Sequence, residues 1–362
     1  MLKKQVLTSL VLLFSAYAIA AQVESPKLMP VASTESQQRL IREGVALHDQ
    51  GKYDAAIAKY EEVLKENPDN VEALYEVSWS YAARKDYQKS LEMAYRGARY
   101  NSNLLGRFYM RIGNNLDDLG DSKKAIEMYK AGIKLSPNVT LLHFNLAITY
   151  NRIGKPEEAR KSLKKSLSLD PNFASGHLLL GGLYYKGDYK TPALLAMCRF
   201  LILEPNSERT DKAYKLFKEL LQGGVSQDKD SKQINVLVGM SGKKDEGDFE
   251  TIDMMIGLTK AGDYLEENKG KTESQLAVQQ LDTYFAMLSE QNSKGNQSKF
   301  VFKYYVPYFS EMKQRNYVEP FYYYISRSSN NAEVKKWLDE NFGRVNEFLN
   351  WSKQYQWAKV EN

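Results

Sequence analysis

Residues 104–137 read LLGRFYMRIGNNLDDLGDSKKAIEMYKAGIKLSP, and residues 138–171 read NVTLLHFNLAITYNRIGKPEEARKSLKKSLSLDP. Laid one over the other, the two stretches share a plan of 34 residues. A small residue (Gly113, Ala147) is followed three positions later by a large one (Leu116, Tyr150). Twelve positions after the small residue comes a second small one (Ala125, Ala159), and four further on a second large one (Tyr129, Leu163). Pro137 and Pro171 close the units. The plan runs outward on both sides. Gly44, Ser78 and Gly181 take the first small place, with Leu47, Tyr81 and Tyr184 three positions on. Ala56, Ser90 and Ala193 take the second, with Tyr60, Ala94 and Met197 four further on. Pro68 and Pro205 close their units, and Ser102 stands where a proline is missing.

Such spacing has a physical reason. Two helices joined by a tight turn pack closely only if small residues occupy the places where their backbones approach. Large side chains then fill the gaps beside them. Turn residues separate the two halves at Gly51, Lys85-Asp86, Gly120-Asp121, Gly154 and Gly187-Asp188, the last shifted by one against the others. Proline then stops the second helix, because it cannot donate to the hydrogen-bond ladder. The second unit fits the plan least well, and one extra residue precedes the third.

Small–large–small–large–proline over 34 residues resembles the tetratricopeptide repeat, here as five units over about residues 37–207. The resemblance implies an all-α fold, a solenoid of helical hairpins that binds another protein or a peptide. A stack of this kind needs a polar cap. Residues 208–222 supply one, with Ala213, Leu216, Phe217, Leu220 and Leu221 at helical spacing before Gly223-Gly224.

Residues 223–248 read as a linker, with a possible short strand in 233–240. Residues 249–362 read as an α-helical C-terminal domain of no recognised family. Ile252, Met255 and Ile256 mark one helix; Thr272 and Gln275 form a capping box that opens another; residues 292–299 form a loop; a final helical pair breaks at Gly343. This region is rich in aromatics from Phe300 to Tyr324. Their three- and four-residue spacing is that of a helical core, while a platform for stacking a glycan or small ligand is the alternative. Tyr322-Tyr323-Tyr324 cannot all point inward from one helix, so at least one is expected at the surface or against the other domain.

By the same resemblance, the first helix of each unit lines a concave groove. The positions that would face it carry Tyr75, Glu76 and Trp79, then Arg107, Met110, Arg111, Asn114 and Asp117, then Phe144, Asn145, Ile148 and Asn151, then Leu178 and Tyr185. Nine of them (Tyr75, Trp79, Arg107, Arg111, Asn114, Phe144, Asn145, Asn151 and Tyr185) suit an extended peptide. Asparagine satisfies its backbone, arginine pairs a carboxylate, and aromatic rings hold apolar anchors. The family's carboxylate clamp uses lysine and asparagine in the first unit, where this chain has Ile41 and Val45. Chaperone-tail binding is therefore not expected.

No chemistry of another kind stands out. His143 and His177 are 34 residues apart and occupy the same packing place in adjacent units; no further ligands stand at metal-binding spacing, so neither a metal nor a cofactor is expected. Phosphate-binding loops, nucleophile elbows and zinc-protease motifs do not occur. Asp117-Asp118 and Glu157-Glu158 are adjacent carboxylates, which diverge on a helix. The chain reads as a non-enzyme.

Residues 1–21 read as a cleavable signal peptide: Lys3 and Lys4, an apolar run from Val6 to Ala18, then the small-x-small site Ala18-Ile19-Ala20. Residues 22–36 form an N-terminal linker. That apolar run is shorter than a membrane span, and no later stretch is apolar enough for one. The expectation is an exported protein, periplasmic first, with secretion or the cell surface as alternatives. The single cysteine, Cys198, is far from the leader, so the chain does not read as a lipoprotein; it reads as a buried helix residue. A net charge of +5, or +3 without Lys3 and Lys4, is too mild to point to nucleic acid.

Overall fold

The computed structural model describes residues 26–228, 233–236, 243–293, 298–358 and 360. Residues 1–21, read above as a signal peptide, lie outside these residues. The described chain is all-α apart from one small hairpin of strands. Five helical hairpins come first: α1 and α2 (Glu35–Asp49, Tyr53–Glu66), α3 and α4 (Val71–Ala83, Tyr87–Gly97), α5 and α6 (Leu105–Asp118, Ser122–Leu135), α7 and α8 (Thr140–Arg152, Pro156–Leu169), and α9 and α10 (Ala174–Lys186, Lys190–Leu203). Then follow α11 (Glu208–Gln222), the antiparallel strands β1 (Val225–Gln227) and β2 (Ile234–Val236), and α12 to α17. These last helices are Glu250–Ala261, Glu273–Ser293, Phe300–Gln314, Val318–Ile325, Ala332–Glu340 and Phe342–Gln354. The chain divides into two compact units, residues 1–162 and 163–362, and the division falls inside α8.

Within each unit the repeat is a device for close approach. A Cβ added to Gly44 would meet Tyr60 Cε1 at 2.5 Å, one on Gly113 would meet Tyr129 Cε1 at 2.4 Å, and one on Gly181 would meet Met197 Cε at 2.6 Å. The first small residue of a hairpin thus receives the second large one. The second hairpin has Ala94 in the second large place, and its close approach is to the following hairpin. Phe108 of α5 seats itself against Gly97 of α4, whose added Cβ would stand 2.1 Å from its ring.

The five turns share one backbone feature. Gly51, Lys85, Gly120, Gly154 and Asp188 all have positive φ, at 73°, 66°, 86°, 72° and 60°. The fifth turn is therefore in step with the rest, which corrects the shift expected from Gly187. That glycine has φ −86°, and the left-handed position falls to Asp188. Helix starts are fixed by side chains that accept from orphan N–H groups: Thr34, in a capping box with Gln37, then Asn70, Asp86 and Asp121.

In residues 163–362, α14 is the central element. Tyr304, Tyr305, Tyr308 and Phe309 are fully buried on it. The Tyr305 hydroxyl lies 2.7 Å from Nδ1 of His177, whose Nε2 donates to the Pro171 carbonyl at 3.0 Å. His143 makes the matching contact to Pro137 at 3.2 Å in the other unit. Burial keeps the His177 imidazole neutral, its pKa pushed down to about 3. Each histidine thus ties the start of its hairpin to the proline that closed the one before. Cys198 is buried. Thr272 and Gln275 exchange the two bonds of a capping box ahead of α13, and the break between the last two helices falls at Asn341, two residues before Gly343.

The aromatic segment is core. Tyr322, Tyr323 and Tyr324 are all buried, so none of the three is at the surface. The helix that carries them is enclosed on every side: Tyr323 stacks on Trp337 at 4.1 Å, Tyr324 packs against Phe348, and Tyr214 of α11 bonds Ser326 beside Tyr322. From Phe300 to Tyr324 every ring but that of half-buried Tyr317 is buried in packing.

Candidate interaction face

In residues 26–162, the first helices of successive hairpins touch one another: α1 with α3, α3 with α5, and α5 with α7. Seven of the sequence-predicted site residues lie on the exposed or half-buried surface of these helices or just beneath it in partial contact with solvent. They are Trp79, Arg107, Arg111, Asn114, Phe144, Asn145 and Asn151. Tyr75 is only 2% exposed and supports the face from below, its ring edge-on to Trp79 at 5.9 Å and to Phe108 at 5.6 Å. Tyr185 belongs to the other unit, where it donates to Glu219 and borders a cleft of about 480 Å³ with Asp188, Lys190 and Lys218.

The centre of the face is Trp79, a large ring left 42% exposed. Its indole lies 5.0 Å from the Arg111 guanidinium and edge-on to His48 at 5.6 Å. His48 is held by Ser80, Nδ1 to Oγ at 2.8 Å. The sequence places His48 near the groove; its fixed position comes from α3 together with Tyr53 of α2, whose ring stands edge-on to it at 5.1 Å. Arg111 is 8% exposed, and its Nε is buried with no hydrogen-bond partner among the described residues. Among the described residues it has no carboxylate within ion-pair distance; the Tyr75 hydroxyl is a polar neighbour that favours its charge. Burial pushes its pKa down, against the pull of Tyr75 and Glu76. A desolvated cation with an unsatisfied donor is costly to keep. An arriving carboxylate would offset that cost with charge-assisted bonds.

One turn further along α5, a polar ladder adjoins this centre. The Asn114 carbonyl oxygen accepts from Tyr129 at 2.7 Å and from the Asn145 amide at 2.8 Å. That leaves the amide nitrogen of Asn114 as a donor for a chain lying along the face. Asp117, in contrast, is fully committed. It accepts from Ser122 and Thr149 at 2.6 and 2.8 Å and pairs with Arg152 at 3.0 Å, so it is structural. Among the described residues no group of His, Cys, Asp and Glu could hold a metal ion, and no helix is long and apolar enough to cross a membrane.

Hairpins in tandem, meeting along their first helices under a face of amides, rings and unpaired charge, define a helical-repeat protein of the binding type. The repeat itself is the tetratricopeptide repeat: family models of that description match residues 41–103, 106–139 and 142–173, and the chain is a tetratricopeptide-repeat protein. It is similar to the BBSome complex member BBS4 of Bos taurus, 29% identical over 133 residues, which covers 37% of this chain and 25% of that protein. It is similar also to small glutamine-rich tetratricopeptide repeat-containing protein 2 of Mycosarcoma maydis, 30% identical over 32% of each chain. Among solved structures it resembles the tetratricopeptide protein TTC0263 of Thermus thermophilus, with a TM-score of 0.43 and 24% identity over 51% of this chain and 98% of that one. The chain thus spans a third or less of the length of these two curated relatives.

Proposed function

We propose that this chain is an exported, non-catalytic adaptor that holds an extended segment of another protein against the first-helix face of α1, α3, α5 and α7. Tetratricopeptide repeats mediate protein–protein interaction, and one relative is by name a member of a complex. The observation that carries the reading is Arg111: a nearly buried guanidinium with an unpartnered Nε, set under an exposed tryptophan and beside an asparagine with a donor to spare. This combination grips a carboxylate, an apolar side chain and a peptide backbone together.

The test is affinity capture from a cell-envelope extract of the native host, with the parent chain and a Trp79→Ala/Arg107→Gln variant whose fold is checked by circular dichroism. The parent retains a defined partner and the folded variant loses it. Equal recovery of the same proteins by both would overturn the assignment of the face. Export has its own test, N-terminal sequencing of the protein recovered from cells. A chain starting near Ala21 or Gln22 supports it, and an intact Met1 overturns it.

A further inference from the structure

The interaction face carries a second unpaired charge of opposite sign. Glu76 stands three residues before Trp79 on α3, half-buried, and among the described residues its carboxylate has neither a hydrogen bond nor an ion pair. Arg107 and Arg111 of α5 and Glu72 and Asp49 on its own side are the charges that act on it. Arg107 is exposed and equally unpaired. Opposite charges on neighbouring helices would normally close into a bridge. Here they stay apart, and Arg111 is instead turned onto the indole of Trp79. A ligand bearing only acidic groups would satisfy Arg111 and bring its charge towards Glu76, which repels it.

Resting on the peptide-binding reading above, we infer that this face selects a segment of mixed charge: an acidic side chain seated on Arg111 against Trp79, and a lysine or arginine seated on Glu76. Packed helices lie about 8–10 Å apart, and an extended chain advances roughly 3.3 Å per residue. The two ligand charges therefore stand about two or three residues apart. The state of Glu76 is consistent with a missing cation. Burial, with help from Glu72, raises its carboxyl above the ordinary range, and a bound ammonium or guanidinium would reverse that. Arg107, out in solvent, contributes to steering rather than to the fixed contact.

A random twelve-residue peptide display library, selected on the full chain and in parallel on Glu76→Gln and Trp79→Ala variants, tests this. Selection on the parent is expected to enrich peptides that carry an acidic and a basic residue at one fixed spacing, the basic position by about tenfold over its input frequency. On Glu76→Gln, which removes a charge from a half-exposed position and leaves the fold intact, the acidic enrichment stays and the basic one disappears. Parent-selected peptides that are acidic without a basic partner, or a basic preference that survives Glu76→Gln, overturn the mixed-charge inference while leaving the peptide-binding reading in place. Identical selections on the parent and on Trp79→Ala overturn both.

Discussion

Tyr129 lies so close over Gly113 that a methyl group on the glycine would stand 2.4 Å from the ring's Cε1. The ring is buried and its hydroxyl is tied to Asn114, so it has no free rotamer into which to retreat. Gly113→Ala must therefore force α5 and α6 apart, at roughly 1–3 kcal/mol for overpacking of this kind. Gly182→Ala is the matched control. It lies inside α9 with nothing within 4 Å of an added Cβ, and it is expected to gain about 0.5–1 kcal/mol from helix propensity. Urea denaturation followed by circular dichroism separates the two. A Gly113→Ala chain as stable as the parent would mean that the helices do not approach as described.

The turns make a different demand, one of backbone rather than space. Gly154 has φ 72° and nothing within 4 Å of an added Cβ, so Gly154→Ala carries no clash. Any loss of stability is the left-handed conformation alone, about 1 kcal/mol for a residue with a side chain. Lys85 and Asp188 already bear this strain at the equivalent positions. An unchanged denaturation midpoint for Gly154→Ala would show that the turn relaxes to another geometry.

The fold was legible because repetition averages out local ambiguity: five small–large pairs agree where any one alone would be weak. Details carried by neighbouring units were not legible. The seat of Phe108 against Gly97 of the preceding hairpin has no mark in the repeat pattern, and Gly187 draws the eye from Asp188 because glycine is the usual left-handed residue. For the interaction face, the helix and its side were readable from spacing. The depth of each side chain was not, since Tyr75 and Trp79 differ by one turn yet one is covered and the other open. Of the two places expected for the tyrosines at 322–324, the surface is not used, and Tyr322 instead lies beside Tyr214 of α11. A helical wheel assumes one solvent face, and α15 is packed all round.

Asp253 provides a pH signature. Its carboxylate accepts from the backbone N–H and the hydroxyl of Thr191, at 3.0 and 2.6 Å, at the start of α10. Burial outweighs these bonds and raises its pKa from 3.8 to about 6. Between those values the folded chain binds the proton and the unfolded chain does not. The contribution of Asp253 to stability is therefore greatest below about pH 4, falls as pH rises through the window from 4 to 6, and levels off above it. The gap between the two values corresponds to about 2–3 kcal/mol. Asp253→Asn keeps an acceptor for Thr191 without the charge. The difference in unfolding free energy between parent and variant, followed from pH 4 to pH 7, should grow in the variant's favour and then become constant. A difference that does not change across that range would sink this account.

Arg199 is a buried cation with no counter-ion among the described residues. It donates to Asn172 at 2.7 Å, to Ser352 at 2.9 Å and to Tyr308 at 3.3 Å, while its Nε has no partner. The rings of Tyr308 and Trp357 flank the guanidinium at 5.1 and 4.9 Å. Trp357 comes from the stretch that follows α17, outside any helix, and reaches this position by stacking on Tyr308 at 4.9 Å. Two forces then act in one place: a desolvated guanidinium over an indole is worth about 2 kcal/mol or more, and the indole keeps water from the charge. Trp357→Ala removes the attraction but readmits water, so its expected cost is moderate, about 1–3 kcal/mol. Arg199→Ala leaves a cavity and strips Asn172 and Ser352 of their donor, so it should cost more than about 3 kcal/mol. Because each residue stabilises the other, the double variant should fall short of the sum by at least about 1 kcal/mol in a double-mutant cycle. If the two losses add to within about 0.5 kcal/mol, the terminal stretch is held by apolar contact alone and the charge plays no part in docking it.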